Sequence, residues 1–343
     1  MSPKKRPSRT FPVLTGKPPL ALAAALALLL GAGDWCVHQP RRWQESQAAR
    51  LPEPLAYWCL HVSNAAADFT DALGLTGRDA TVPLPAGLAT NQILCAGLPK
   101  RLPGCPAPDD IEVLNKTGFT VGYSPSLRHP VWVAYRVHAV SNSVPPPRPR
   151  EFKPDPAARN APQHKDYAKS GYDRGHMAPN LAIATRYGKA AQAQTFLTSN
   201  ICPQRAGLNQ GPWCNLEFRI ANLWPGEYGD VWVITGALSA GGGKRLPSGV
   251  DVPTAFYQIV VARQDGRLRA FATLMPQSTR RRTYARSTLV SIDELEALSG
   301  FDFLSALPDD VESTLEAATP TRLWPIGPLG AARLLYERFR PYD

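Results

Sequence analysis

Asp173-Arg174-Gly175-His176-Met177-Ala178-Pro179-Asn180 and, further along, Asn209-Gln210-Gly211-Pro212-Trp213 with Leu216-Glu217 are the stretches on which the reading of this chain turns. They hold a side chain that accepts a proton near neutral pH, His176. They hold a neutral amide oxygen, on Asn209, that suits a hard cation while leaving the ion most of its water and charge. Arg174 adds a planar guanidinium fork that matches phosphate oxygens. A base, a hard-metal ligand and guanidinium groups together are a set able to hydrolyse a phosphodiester. Each group also has a plainer reading. A His beside an Asp is most often an ordinary hydrogen-bonded group, and an isolated Asn most often caps a helix. Glu217 alone reads as a solvated helix residue, and Arg150 alone as a loop charge. The conjunction carries the weight.

Working outward, Trp213, Leu216, Ile220 and Leu223 recur at helical spacing, and Pro212 is acceptable in a first turn. The spacing predicts a helix over 210–223 with Asn209 at its N-terminus, where the helix dipole favours an anionic phosphate. Glu217, eight residues on, falls about 80° round that helix from Asn209, on the same cleft wall. Upstream, Phe119–Ser124 and Val131–Val137 are β-rich runs around a turn containing Pro125 and Pro130, which reads as a hairpin. Residues 144–165 are rich in proline and read as an extended loop. Downstream, 231–235, 256–262 and 268–274 read as further strands. Ser291 with Glu294 is a capping box opening a helix that stops at Gly300. Strands in clusters with a few helices indicate an α+β fold rather than alternating βαβ units.

The chain has 343 residues, 44% apolar and 19% charged, which excludes wholesale disorder; its 35 prolines argue against a helical bundle. Five of the ten net positive charges lie in residues 1–33, on Lys4, Lys5, Arg6, Arg9 and Lys17, a segment without acid. There the basic stretch leads into an apolar run, Leu20–Leu30, and then small residues. The pattern reads as a signal peptide for export, to the periplasm or the medium. The alternatives are an uncleaved membrane tether through residues 18–33 and, ranked below both, a mitochondrial presequence. Six cysteines follow, an even number suited to disulfides in an oxidising compartment, with Cys95/Cys105 and Cys202/Cys214 near enough in sequence to pair; buried free thiols are the alternative. No Cys-x-x-Cys occurs, so a structural zinc is not expected. Arg280-Arg281-Arg282 suits a nucleic-acid backbone, although such a run is usually a solvated face.

The spaced motif Asp173-Arg174-Gly175-His176, then Asn209-Gln210-Gly211-x-Trp213-x-x-Leu216-Glu217, closely resembles the DNA/RNA non-specific endonucleases, sugar-non-specific nucleases with a ββα-metal (His-Me finger) core. Val131–Tyr135 is similar to the family's strand before the active site, and Arg150-Glu151-Phe152-Lys153-Pro154-Asp155 to its Arg-bearing loop. The resemblance implies a mixed, largely antiparallel sheet with flanking helices. It implies His176 as general base, Asn209 as the direct ligand of a Mg2+ (Mn2+ as substitute), Glu217 orienting the metal's waters, and Asn200 supporting the site. Arg150 and Arg174 would lie near the phosphate, and Asp173 would organise the loop. DNA and RNA are the implied substrates, cut with little sequence preference to 5′-phosphate products. The domain expected is 105–317, preceded by an extension of unknown role, 34–104, and followed by a tail, 318–343. Cys202 and Cys214 bracket the metal-ligand stretch and depart from the family motif. Two rival readings stand beside this one: a nuclease-like module that binds or takes up nucleic acid without cutting it, and a phosphodiesterase for a non-nucleic substrate.

Overall fold

The computed structural model describes residues 73–330, apart from 76–78, 89–92, 94, 141–143, 240–242, 282 and 284. The targeting segment, the tether at 18–33, Cys36 and Cys59 lie outside the described residues. The strands are β1 (Ala80–Pro83), β2 (Lys100–Arg101), β3 (Glu112–Lys116), β4 (Phe119–Ser124), β5 (His129–Val137), β6 (Asp173–His176), β7 (Ile201–Gln204), β8 (Val231–Leu238), β9 (Ala255–Gln264), β10 (Arg267–Pro276), β11 (Leu289–Val290) and β12 (Phe301–Asp302). The helices used below are α1 (Asn180–Thr195), α2 (Cys214–Asn222), α3 (Trp224–Tyr228), α4 (Ile292–Ser299) and α5 (Asp309–Ala317). The main sheet runs β1-β10-β9-β8-β5-β4-β3, with β11 added on β10. Its paired strands are all antiparallel, and a parallel bridge, Lys153 with Leu197, lies outside the named strands. The fold is α+β.

Alternation along the central strands explains why their sequences are almost unbrokenly apolar. Val133, Tyr135 and Val137 of β5 join one buried cluster with Phe256 and Val260 of β9, and with Trp213, Leu216 and Ile220 of the active-site segment. Trp132 and Ala134 join a second cluster on the opposite face, with Tyr257, Ile259, Leu268 and the α4–α5 residues Ile292, Leu295 and Leu315. Side chains alternate across a strand, so a sheet covered on both faces needs apolar residues at odd and even positions alike. Each large side chain fully enclosed in this way contributes about 1.5–3 kcal/mol. Gly122 is required by this packing: a Cβ there would lie 2.2 Å from the Trp132 ring. The β4–β5 hairpin differs from the expectation at one point. β5 begins at His129, and Pro130 is taken into the strand opposite Tyr123, where the register shifts between Gly122 and Tyr123. A proline cannot donate to a ladder, and an irregularity is where a strand tolerates one.

A second, two-stranded sheet pairs β6 with β7, Asp173 facing Gln204 and His176 facing Ile201. With α2 following, these give the ββα unit. The helix differs from the expectation. Residues Asn209–Trp213 form a wide π-type turn, Gly211 is non-helical (φ −114°, ψ −120°), and the regular helix starts at Cys214. Asn209 therefore does not sit at the N-terminus of an α-helix; it follows a short helical turn, Ala206–Leu208. Pro212 has no N–H to offer, and Gly211 adopts a backbone no helix contains, so the four-residue ladder cannot begin before them.

The expected disulfides are not formed among the described residues, where Cys95, Cys105, Cys202 and Cys214 are free. Cys202 is enclosed on β7 with its sulfur 3.7 Å from the Pro130 carbonyl oxygen, directed into the core. Burial pushes its thiol well above the ordinary range, which keeps it an inert apolar group. Cys214 instead opens α2.

The α4 cap is as read: Ser291 Oγ accepts from Glu294 N at 3.1 Å, and Gly300 closes the helix at φ 76°. Beyond it, Glu296 accepts from Phe303 N (2.8 Å) and Glu316 of α5 from Leu304 N (3.3 Å). These two carboxylates and that of Asp293 lie within 4.8 Å of one another. Burial, and for Glu316 next the charge of Glu296, raises both glutamate pKa values above the ordinary carboxylate range. A raised folded-state pKa means stability that is complete below the unfolded value and lost as pH rises through the folded one. Glu316→Gln removes that loss. Thermal melts from about pH 5 to pH 9 are expected to show a Tm that falls with pH in the parent and much less in the variant; parallel curves would rule out repulsion between these groups.

Candidate active site

Alternation along β6 places Arg174 and His176 on one face of the strand and Asp173 and Gly175 on the other. The His176 ring lies between two phenylalanines, 5.3 Å from Phe152 and 4.9 Å edge-on from Phe196. Its Nε2 is enclosed with no hydrogen-bond partner. Burial, and then the positive charge of Arg148, lowers its pKa from 6.5 to about 3. The imidazole is therefore neutral at physiological pH, with an unshared nitrogen lone pair.

Phe152 belongs to the proline-rich strap of residues 144–163. The strap is tied down by backbone bonds from Lys153 N to Phe196 O (3.0 Å) and from Thr198 N to Lys153 O (2.9 Å). It is tied again by Asp155, which is buried against Lys116 Nζ at 2.6 Å and Ser199 Oγ at 2.5 Å. Burial alone would raise the Asp155 carboxyl, but the bonds from Lys116 and Ser199 outweigh it and hold the group ionised below the ordinary value. At the strap's start, the Arg148 guanidinium lies 5.3 Å over the Phe196 ring.

Asn200 lies behind His176 and is fully buried. Its Oδ1 accepts from Ala178 N (2.8 Å), and its Nδ2 donates to the carbonyls of Ala178 and Thr195, both at 3.0 Å. Its backbone carbonyl accepts from Met177 N (3.0 Å). These bonds fix the chain where it leaves β6, so Asn200 positions His176 without facing substrate. On the other side of β6, Asp173 Oδ2 accepts from Asn209 Nδ2 and Gln210 Nε2, both at 2.9 Å. With Nδ2 committed to Asp173, the Asn209 amide oxygen is oriented as a neutral donor for a hard cation. Glu217 Oε1 accepts from Trp213 Nε1 at 3.1 Å, one helical turn apart. Burial pushes the Glu217 carboxyl up to about 8, against the opposing effects of the Trp213 bond and the Arg148 charge. The Tyr135 hydroxyl is enclosed without a partner, and the Glu217 charge, after burial, suppresses its ionisation. The Asn209 amide oxygen, turned by Asp173, and the enclosed Glu217 carboxyl, whose ionisation burial opposes, are hard oxygen donors of the kind a divalent ion takes.

The Arg148 charge reaches both His176 and Glu217, and Asp173 joins Asn209 to the strand that carries His176. Arg174 turns inward: Nη2 donates to the His164 carbonyl (3.1 Å), and its guanidinium lies 5.8 Å from Phe152 and 6.0 Å from Tyr167. Arg150 stands exposed on the strap and makes none of these contacts. Arg148, two residues earlier, is the guanidinium whose charge reaches His176. Sequence reading passed over it because nothing local separates it from Arg150 in an irregular loop. Phe152, Phe196 and Tyr135 were also missed as site residues, although Tyr135's place on the inner face of β5 follows from strand alternation.

The sequence profile of the DNA/RNA non-specific endonuclease family matches residues 100–310. The chain belongs to that family. It is 30% identical over 222 residues to a nuclease of Nostoc sp., covering 61% of this chain and 78% of the relative. It is 32% identical over 220 residues to the human mitochondrial nuclease EXOG, covering 56% of each chain. Among solved structures, EndoG in its complex with EndoGI superposes with a TM-score of 0.51 at 27% identity, over 61% of this chain and 91% of EndoG. The family member is a nucleic-acid hydrolase dependent on a divalent metal. The export reading is corrected by these relatives, since human EXOG is named a mitochondrial nuclease. A basic, acid-free N-terminus leading into an apolar run satisfies both kinds of targeting signal, so the residues of that segment did not warrant the choice.

Two outcomes test the geometry. Arg148→Ala removes a positive charge that lowers the His176 pKa, so an NMR titration is expected to show His176 protonating at higher pH than in the parent; an unchanged midpoint would place Arg148 too far away to act. Asn200→Ala leaves the Ala178 N–H and two carbonyls without partners, at about 1–3 kcal/mol per group. Chemical denaturation should show a loss of at least that size, accompanied by lower activity.

Proposed function

We propose that this chain is a Mg2+-dependent endonuclease that hydrolyses DNA and RNA with little sequence preference, His176 acting as general base and the products carrying 5′-phosphates. The observation that carries the reading is the enclosed, unpartnered Nε2 of a neutral His176, held between Phe152 and Phe196 within reach of the Arg148 charge. Bound through the Asn209 amide oxygen, with Glu217 behind, Mg2+ or its substitute Mn2+ supplies positive charge to stabilise the leaving oxygen.

The chain's own residues do the rest. His176 Nε2 takes a proton from the attacking water, a role that requires the neutral ring which burial maintains. The Phe152 and Phe196 rings fix the imidazole plane and limit competing water. Arg148 offers a guanidinium to phosphate oxygens at the mouth of the site, and Arg150, exposed on the same strap, is placed to meet an incoming backbone. Asp173 orients Asn209, and Trp213 orients Glu217. None of these contacts reads a base edge, which agrees with cutting independent of sequence.

Conversion of supercoiled plasmid and of single-stranded RNA, each with Mg2+ or with EDTA, tests the reading. Cleavage in Mg2+ that stops in EDTA is expected, with competition between the two substrates. His176→Ala should slow turnover by about 100-fold or more while DNA affinity stays close to that of the parent. Full turnover in that variant would remove His176 as the base. Binding without cleavage by the parent would favour a nucleic-acid-binding module.

A further inference from the structure

Outside the catalytic group, the turn that carries Asn209 has a close neighbour. Gly207 lies midway between Arg205 and Asn209, and a Cβ on it would lie 3.1 Å from the Thr279 carbonyl oxygen and 3.7 Å from the Arg280 Cα. At Gly211, two residues past Asn209, a Cβ would lie 2.6 Å from the Arg281 carbonyl oxygen. The chain leaving β10 thus lies directly on the Asn209 turn, at a distance only glycine allows. Gln277 pins the same junction: its Oε1 accepts from Arg205 N (2.8 Å), and its Nε2 donates to the carbonyls of Pro203 (2.9 Å) and Pro253 (3.0 Å). A turn closed by Thr283 N to Arg280 O (3.0 Å) follows.

This contact gives Arg280 and Arg281 a fixed place. Arg205 and Arg280 are exposed, one on each of the two packed segments, and among the described residues neither is paired with a carboxylate. Arg281 is exposed beside them. Asp173, which contacts the Asn209 turn, is engaged by the Asn209 and Gln210 amides. Both exposed cations are thus anchored by backbone packed at the Asn209 turn, where guanidinium groups suit the phosphates of a nucleic-acid strand.

We propose that Arg205 and Arg280 form a phosphate-binding subsite that holds the nucleic-acid backbone next to the cleaved bond, independent of sequence. The proposal rests on the nuclease reading above and adds to it a place where affinity is gained away from the chemistry.

The test compares the full chain with Arg205→Ala/Arg280→Ala and with Arg205→Lys/Arg280→Lys. Binding of a fluorescent duplex is measured in EDTA across a salt series. Removing two phosphate contacts should lower the slope of log affinity against log salt by about 1.8, and the lysine pair should retain it. In Mg2+, the alanine pair should raise KM for long duplex DNA by about 10-fold or more, with kcat little changed. Turnover of bis(4-nitrophenyl) phosphate, too small to reach the subsite, should match the parent and so report an intact catalytic site. A parental salt slope and KM in the alanine pair would overturn the subsite. So would loss of small-substrate turnover in both pairs, which would make the arginines structural. If the parent binds DNA but does not cut it, the nuclease reading fails while the salt series still decides the subsite.

Discussion

A sheet enclosed on both faces has to draw its cover from other parts of the same chain, and here the cover on one face is the catalytic apparatus. Trp213, Leu216 and Ile220 are buried against β5 and β9, so the segment carrying Asn209 and Glu217 is held by the same apolar contacts that complete the core. The opposite face is closed by α4 and α5 and carries no part of the site. Stability and chemistry are thus segregated across one layer of strands. The rigidity of the packed sheet passes to the active site through Met177 and Ala178, which belong to the core immediately after His176.

Within that frame the polar groups of the site are positioned by a few bonds made by buried or half-buried side chains. Asn200 satisfies three backbone groups around Ala178 and Thr195, Asp173 turns the Asn209 amide, and Trp213 turns the Glu217 carboxylate. His176 is left without a bond at Nε2 and is held by ring contacts instead. Aromatic walls fix orientation without occupying the lone pair, which is what a general base needs.

Much of this was legible in the sequence where local rules decide. The β-rich runs of β4, β5, β8, β9 and β10 read as strands, and Ser291, Glu294 and Gly300 bounded α4 to the residue. The spaced motif picked out Asp173 and Asn209, which the fold joins by a hydrogen bond, and His176 on the same strand as Asp173. The start of α2 was misread because helical periodicity in Trp213, Leu216 and Ile220 does not reveal that Gly211 and Pro212 break the ladder before it. Arg148 was passed over beside Arg150 because an irregular strap has no period to say which arginine's charge reaches His176. The disulfide expectation rested on cysteine number and compartment, and the folded chain places Cys202 in the core as a free thiol. Localisation failed for a related reason: targeting signals of different destinations share the same gross composition.

The strap has a mechanical aspect. Pro145, Pro146 and Pro147 immediately precede Arg148, and the Pro146 carbonyl accepts from Gln192 Nε2 of α1 at 3.0 Å. Successive prolines hold the backbone in a stiff, extended form that needs no ladder of its own. Arg148 is therefore presented from the end of a short cantilever, clamped at Gln192 on one side and by the buried Lys116–Asp155 pair further along. Only its side-chain torsions remain to be ordered when a phosphate arrives. Much of the entropy that a flexible loop would lose on binding has already been given up during folding.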